Sequence, residues 1–268
     1  MDDAQLNADQ IRELGDELYA ALRSGSTLSP LSERFDSISV DDAYHISLRF
    51  LQRREADGER VIGKKIGVTS KAVQEMLDVH QPDFGFLTDA MRFTDGATIS
   101  ISKAGLIQPR AEGEIAFFLK KDLVGPGLSR EDVIDATEAV AACFEIVDSR
   151  IHDWKIRIQD TVADNASCGV FTVGTSRVPP GDLDLAAAQM RFRRNGELIA
   201  SGLGSAVQGH PAEAVAWLAN TLGRFGIPFR AGEVILSGSL VPLVRVTAGD
   251  RFELTVEGIG SASVAFVE

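Results

Sequence analysis

The sequence predicts an α+β fold: a helical N-terminal segment over residues 1–60, then a β-rich body over 61–268 built on a mostly antiparallel or mixed sheet system. Three observations carry this. Apolar residues recur at helical spacing in the first sixty positions. After residue 61 strands outnumber helices, with no steady alternation of the two. An Asn-Gly turn between two strand-like runs, "RFRRNGELIA", marks a hairpin. A dinucleotide-binding sheet does not fit, because no strand is followed by G-x-G-x-x-G opening a helix. "GLGSAVQG" (Gly202 to Gly209) has the glycines without the spacing.

The elements follow in order. Ile11, Leu14, Leu18 and Leu22 fall on one face of a first helix, and a second runs from about Asp41 to Ala56. Ser39 and Asp42 are spaced as a capping box at its start, and "ADGER" ends it. "VIGKKIGV" is a glycine-punctuated strand, "SKAVQEML" a short helix capped by Ser70, and "QPDFGFL" a turn into an apolar segment. "EIAFFLKKDL" is a strand. Ser129 caps a helix over "EDVIDATEAVAA", and "CFEIVDSR" is the next strand. Pro211 opens a helix through Leu222, at the position where its missing N–H costs nothing. "EVILSGSLV" and "DRFELTVEGIGSASVAFV" close the chain as strands. There is no internal repeat and no low-complexity linker.

Composition narrows the function. At 268 residues, 44% hydrophobic and 25% charged, the chain can bury a sizeable core and has the make-up of an ordinary globular protein. No stretch approaches the roughly 18 apolar residues of a membrane helix. "MDDAQLNADQ" is neither a secretory signal nor a transit peptide, so a cytoplasmic location is expected. A net charge of −12 argues against nucleic acid, which needs clustered Lys and Arg. Cys143 and Cys168 form neither a disulfide framework nor a zinc spacing. His45, His80, His152 and His210 are scattered, so a metal would have to be held by oxygen. His152, in "DSRIHDWK", reads as a surface or structural residue. No G-x-S-x-G elbow is present, and neither cysteine has a local histidine to activate it.

Chemistry concentrates on acids. In "RAEGEIAFFL" alternate strand residues share a side, so Glu112 and Glu114 leave together while Ile115 and Phe117 face away. Two glutamates alone favour a solvated edge strand. A third, Glu145, lies in an apolar run between Phe144 and Ile146, where an uncompensated carboxylate costs several kcal/mol. A hard divalent cation, Mg2+ or Mn2+, compensates all three and keeps positions open for an α-keto acid; pairing of Glu145 with an arginine is the other way out. Nearby, "GKKIG" sets Lys64 and Lys65 on opposite faces of a strand, against the usual reading of solvated lysines. Asp83 follows a Pro-fixed turn in "QPDFG", where turn chemistry alone would also explain it. Asp160, Asp164, Asn165 and Ser167 in "IQDTVADNASCG" line a site or cap turns. Ser237 and Ser239 flank Gly238, where backbone can approach a ligand.

As an ordered set, "GKKIGVTSKAVQ", "VHQPDFG", "LIQPRAEGEIAF", "FEIVDSRI.DWK", "QDTVADNASCG" and "GEVILSGSLVP" resemble the 2-oxopent-4-enoate (2-hydroxypenta-2,4-dienoate) hydratases of the fumarylacetoacetate hydrolase superfamily. The resemblance implies a mixed β-roll or β-sandwich core of the fumarylacetoacetate hydrolase type, so that 61–268 is a catalytic domain. It implies Mg2+ or Mn2+ on Glu112, Glu114 and Glu145, catalytic roles for Lys65 and Asp83, and substrate contacts from Ser167 and, more weakly, Ser239. The activity implied is hydration of the dienoate to 4-hydroxy-2-oxopentanoate in meta-cleavage degradation of aromatic compounds. The alternatives within it are a 2-oxohex-3-enedioate (4-oxalocrotonate) decarboxylase or its non-catalytic partner subunit. A homo-oligomer, a complex with such a decarboxylase, and no nucleic-acid or membrane partner are expected. The E-x-x-H pair of the carbon–carbon hydrolases is missing: Asp42, Leu77, Ser149 and Val207 precede the four histidines by three. That weakens a hydrolase reading.

Overall fold

Helix caps set the N-terminal segment. The computed structural model describes residues 6–70, 74–75, 79 and 81–268. Helices α1 (Ala8–Ser24) and α3 (Val40–Ala56) both begin at capping boxes, Asn7 with Gln10 and Ser39 with Asp42, and the short α2 (Leu31–Arg34) lies between them. Leu14, Leu18, Ile46 and Phe50 from these helices share a core with Ile151, Val162 and Ala163 of the body. The helix expected over 70–77 lies largely outside the described residues.

The body opens with β1 (Val61–Gly67), β2 (Asp83–Thr88), β3 (Arg92–Thr94), β4 (Thr98–Ser100) and β5 (Arg110–Leu119). Helix α4 (Arg130–Ala136), β6 (Thr137–Val147), helix α5 (Ile158–Ala163) and β7 (Cys168–Val173) follow. The hairpin β8 (Gln189–Arg194) and β9 (Glu197–Leu203) leads to helix α6 (Pro211–Gly223), then β10 (Val234–Leu236) and β11 (Val244–Arg245). Strands β12 (Arg251–Val256) and β13 (Gly260–Val267) end the chain.

One sheet runs β2-β1-β10-β5-β6-β7-β3, with β11 paired to the start of β5, and the second runs β4-β13-β12-β8-β9. Parallel pairs (β1 with β10, β3 with β7, β4 with β13) sit among antiparallel ones, so both sheets are mixed. Ile115, Phe117 and Phe144 of the first sheet join Phe192, Phe252 and Phe266 of the second in the main core. The rings of Phe144, Phe192 and Phe252 follow one another at 5.6 Å. The hairpin turns at Asn195 (φ 53°) and Gly196 (φ 83°), the left-handed pair that an Asn-Gly turn supplies.

One element departs from the sequence reading. Ser129 does cap a helix, but it stops at Ala136, and "TEAVAA" belongs to β6. Local preference for helix gives way there to ten paired positions against β5. Alanines at 139, 141 and 142 are buried, where small side chains let neighbouring layers close in.

Candidate active site and metal centre

Strand register alone gathers the acids. Residues directly opposite in a sheet share a face, and residues two apart in a strand do as well. Glu112 pairs with Glu145 across β5 and β6, and Glu114 pairs with Cys143. Ala116, two further along β5, pairs with Leu236, which pairs with Lys65 on β1. Lys65 pairs with Gly85, and Gly67 with Asp83. All these side chains therefore lie on one face of the first sheet, opposite the face carrying Ile115 and Phe117.

On that face the carboxylates of Glu112, Glu114 and Glu145 each offer an oxygen within 4.8 Å of the others. Glu114 and Glu145 are fully buried. Two like charges directly across a ladder repel, and burial adds to the cost. Little within the protein answers it. Glu114 Oε2 accepts the Gly238 N–H at 2.7 Å, while Glu114 Oε1 and both Glu145 oxygens have no hydrogen-bond donor. Lys65 Nζ lies 3.3 Å from Glu145 Oε1, an ion pair outside hydrogen-bond geometry.

The proton affinities follow from this crowding. Burial, reinforced by the charge on Glu145 and opposed by Lys65, pushes the Glu112 carboxyl up to about 7. Burial and the charges of Glu145 and Glu112 hold Glu114 well above the usual carboxylate range. Asp83 is raised too, by burial, with Lys65 pulling the other way. Burial opposes the charge on Lys65, but Glu145 and Asp83 outweigh it and keep the ammonium above its ordinary value. Four acids against one ammonium leave a buried anionic excess. Three converging carboxylates, two of them with orphaned oxygens, fit a hard divalent cation, which takes oxygen ligands and would replace the missing donors.

Asp83 and Lys65 meet over Gly67. A Cβ at residue 67 would lie 2.3 Å from Asp83 Oδ1 and 3.3 Å from Lys65 Nζ, so this glycine leaves room for both groups. Asp83 Oδ1 has no hydrogen-bond partner, and the Thr161 hydroxyl of α5 lies near enough to the carboxylate to favour its charged form. Thr161 Oγ1 lies 3.2 Å from Ser167 Oγ, which brings Ser167 to the same side of the site.

The remaining sequence candidates divide. Lys64 is not solvated: it is buried on the opposite face, 2.6 and 2.7 Å from the Glu233 oxygens and over the Phe229 ring. A partner carboxylate on each face, Glu233 for Lys64 and Glu145 for Lys65, makes both lysines tolerable inside. Asp160 accepts from Ser32 N and Oγ, Asp164 binds Arg150, and Asn165 clamps both backbone groups of Phe86, so these acids and amide build the wall. Ser239 Oγ donates to Val241 O at 2.7 Å, and the neighbouring Gly238 N–H is the group that reaches the acids. Ser237 Oγ is buried without a partner. His152 is exposed and touches Thr27 and Asp153. The backbone at Gly238 was singled out in the sequence, whereas Thr161 and Gly67 were missed; the polar run "IQDTV" and the glycines flanking "KKI" were the available signals.

Residues 61–267 match the family described as fumarylacetoacetate (FAA) hydrolase C-terminal. The chain belongs to the fumarylacetoacetate hydrolase family. It is 69% identical over 258 residues to a 2-hydroxyhexa-2,4-dienoate hydratase of Comamonas testosteroni, covering 96% of this chain and 98% of that protein. It is 64% identical over 217 residues to a 2-hydroxypent-2,4-dienoate hydratase of Pseudomonas putida, covering 81% of this chain and 97% of that protein. A solved structure of 4-oxalocrotonate decarboxylase from Pseudomonas putida G7, complexed with magnesium and adipate, superposes with a TM-score of 0.95. It is 33% identical and covers 98% of this chain and 100% of that one. The fumarylacetoacetate hydrolase fold expected from the sequence is thus the fold observed. No helix among the described residues is long and apolar enough to cross a membrane.

Proposed function

We propose that this chain is a metal-dependent hydro-lyase that hydrates 2-hydroxypenta-2,4-dienoate, or its methyl-extended homologue, to the 4-hydroxy-2-oxo acid in meta-cleavage degradation of aromatic compounds. The observation that carries the reading is the convergence of Glu112, Glu114 and Glu145, with orphaned oxygens on the last two, beside Lys65, which pairs with Glu145, and Asp83. Mg2+ or Mn2+ on the three glutamates would supply Lewis-acid stabilisation of negative charge at the substrate's C2 oxygen.

The chain's own residues do the rest. Lys65, held as an ammonium, balances the substrate carboxylate and orients it. Asp83, whose raised proton affinity keeps it protonated longer than an ordinary carboxylic acid, delivers a proton to C5 of the dienol. It regains one from the water that adds at C4, and the proton first lost from the 2-hydroxyl is balanced by the one gained at C3. Thr161, bonded to Ser167, lies beside Asp83, and Ser167 serves the substrate from the same side. The hydroxyl of Ser239 is turned to backbone, which leaves its proposed substrate contact to rearrangement of that turn.

A decarboxylase acting on 2-oxohex-3-enedioate is the second reading, and the structural likeness to 4-oxalocrotonate decarboxylase favours it. Identity to the hydratases is twice as high, which supports the first. Assembly with further copies of the chain, or with such a decarboxylase, belongs to the same proposal. The outer strand β9, with Leu198, Ile199 and Leu203 exposed, is a free edge that suits it. Incubation of the purified chain and Mg2+ with each substrate decides between the chemistries. Loss of dienol absorbance with formation of 4-hydroxy-2-oxopentanoate, abolished by EDTA, is expected; CO2 release from the dicarboxylate without hydration would overturn it.

A further inference from the structure

We propose that the apolar cleft between α3 and α5 receives the distal alkyl carbons of the dienoate, so that the N-terminal helical segment sets the chain length of the substrate. This rests on the hydratase reading and adds the part of the molecule that tells one dienoate from another.

Two clefts flank Gln81 and Pro82, immediately before Asp83. The larger, about 600 Å³, sets the polar side chains of Thr69, Gln74, Ser205 and Gln208 among apolar ones such as Trp217. The smaller, about 280 Å³, is lined by Val40, Tyr44, Val79, Gln81, Pro82 and Ile158, with no charged side chain among them. Its floor is fixed, since the Tyr44 ring stacks on Phe84 with centroids 4.4 Å apart and planes 12° from parallel. Its far wall leads back to the reacting end. Ile158 and Thr161 are three apart in α5 and so share a helical face. Thr161 lies beside the Asp83 carboxylate while Ile158 lines the cleft, and Pro82, the residue before Asp83, lines it too, so the surface beside Asp83 continues into the apolar space.

With the acid end of a dienoate at the glutamates and C5 at Asp83, the adjoining residue Pro82 already belongs to this cleft. Wall chemistry selects the occupant. An alkyl group gains by burial against Val40, Pro82 and Ile158, whereas in the larger cleft it would take water from amides and hydroxyls without replacing it. A terminal carboxylate gains nothing from the described lining residues, none of which carries a cation.

The test uses saturated 2-oxo acids, which bind without reacting, from 2-oxobutanoate to 2-oxoheptanoate, titrated calorimetrically into the Mg2+-loaded chain. Affinity is expected to rise about fourfold per methylene beyond C5, the value of burying one CH2 group. Val40→Phe, and independently Ile158→Phe on the opposite wall, should flatten that rise. Each should also lower the ratio of hexadienoate to pentadienoate kcat/KM about tenfold. Ala206→Phe, which fills the larger cleft, should keep the wild-type steepness. A flat wild-type series, an equal loss at every length in both cleft variants, or flattening by Ala206→Phe would overturn the proposal. A chain-length series that behaves as described in a protein that hydrates neither dienoate would uphold the cleft and overturn the activity instead.

Discussion

Glu114 is the acid at which loss of charge separates metal binding from folding most cleanly. Burial already holds it protonated well above the usual range, and Lys65 is the smallest of the influences on it, so Glu114→Gln should leave the metal-free melting temperature nearly unchanged. The same variant should lose the rise in melting temperature on adding Mg2+, together with turnover, because a ligand's loss exceeds the roughly 100-fold effect of an outer-shell partner. Glu145→Gln differs, since it strands Lys65 and costs folding as well. The pH dependence follows from the same residues. Glu112, Glu114 and Asp83 have proton affinities raised above their unfolded values, so the metal-free folded chain binds more protons than the unfolded chain from about pH 4.5 to about 7. Stability from these groups is therefore present at the acid end and lost as pH rises through the folded values. The melting temperature of the metal-free protein should decline across that window, and the gain on adding Mg2+ should grow; a gain constant from pH 5 to 8 would contradict it. Gly67 carries a third expectation. A methyl group there enters the space of Asp83 Oδ1, so Gly67→Ala should lower kcat by about 100-fold, the cost of a roughly 1 Å misplacement, while the Mg2+-induced melting shift persists.

Among the elements, the turn between α5 and β7 does more than connect. Asn165, Ala166 and Ser167 all have φ between 51° and 55°, the left-handed region that asparagine tolerates better than most residues. From it, the Asn165 carboxamide accepts the Phe86 N–H at 2.8 Å and donates to Phe86 O at 3.0 Å, closing the outer edge of β2 three residues beyond Asp83. Asn165→Ala leaves both groups buried and unpaired and should lower stability by about 2–4 kcal/mol, seen as a lower urea midpoint at unchanged slope. Such a turn is only half legible in sequence: "ADNAS" announces polar, cap-forming residues, but not that their partner lies 79 positions away in β2. Caps and hairpins were legible because their signals are local, as with Ser39 and Asp42 or Asn195 and Gly196. The acidic pair of β5 was legible for the same reason, since a period of two sets both side chains on one side. The boundary between α4 and β6 was not, because only pairing with β5 decides it, and the burial of Lys64 was hidden until Glu233 came across from the far end of the chain.

At the scale of the whole molecule, the composition break near residue 60 is not a break in packing. Leu14, Leu18, Ile46 and Phe50 of the helical segment bury Ile151, Val162 and Ala163, which belong to the loops and helix carrying the wall of the site. Ser32 of the segment donates twice to Asp160, and Tyr44 covers Phe84 next to Asp83. We therefore expect residues 1–60 and the catalytic body 61–268 to fold as one cooperative unit, with the segment acting as a structural part of the site rather than an appendage. Deleting 1–60 exposes three fully buried apolar side chains and leaves the buried Asp160 carboxylate without its Ser32 donors. The shortened chain should lose the single sharp thermal transition and the Mg2+-induced shift together, as followed by circular dichroism and calorimetry. Cooperative melting of 61–268 with the metal response intact would show instead that the sheets hold the three glutamates without help, and that the segment contributes only to the mouth of the pocket.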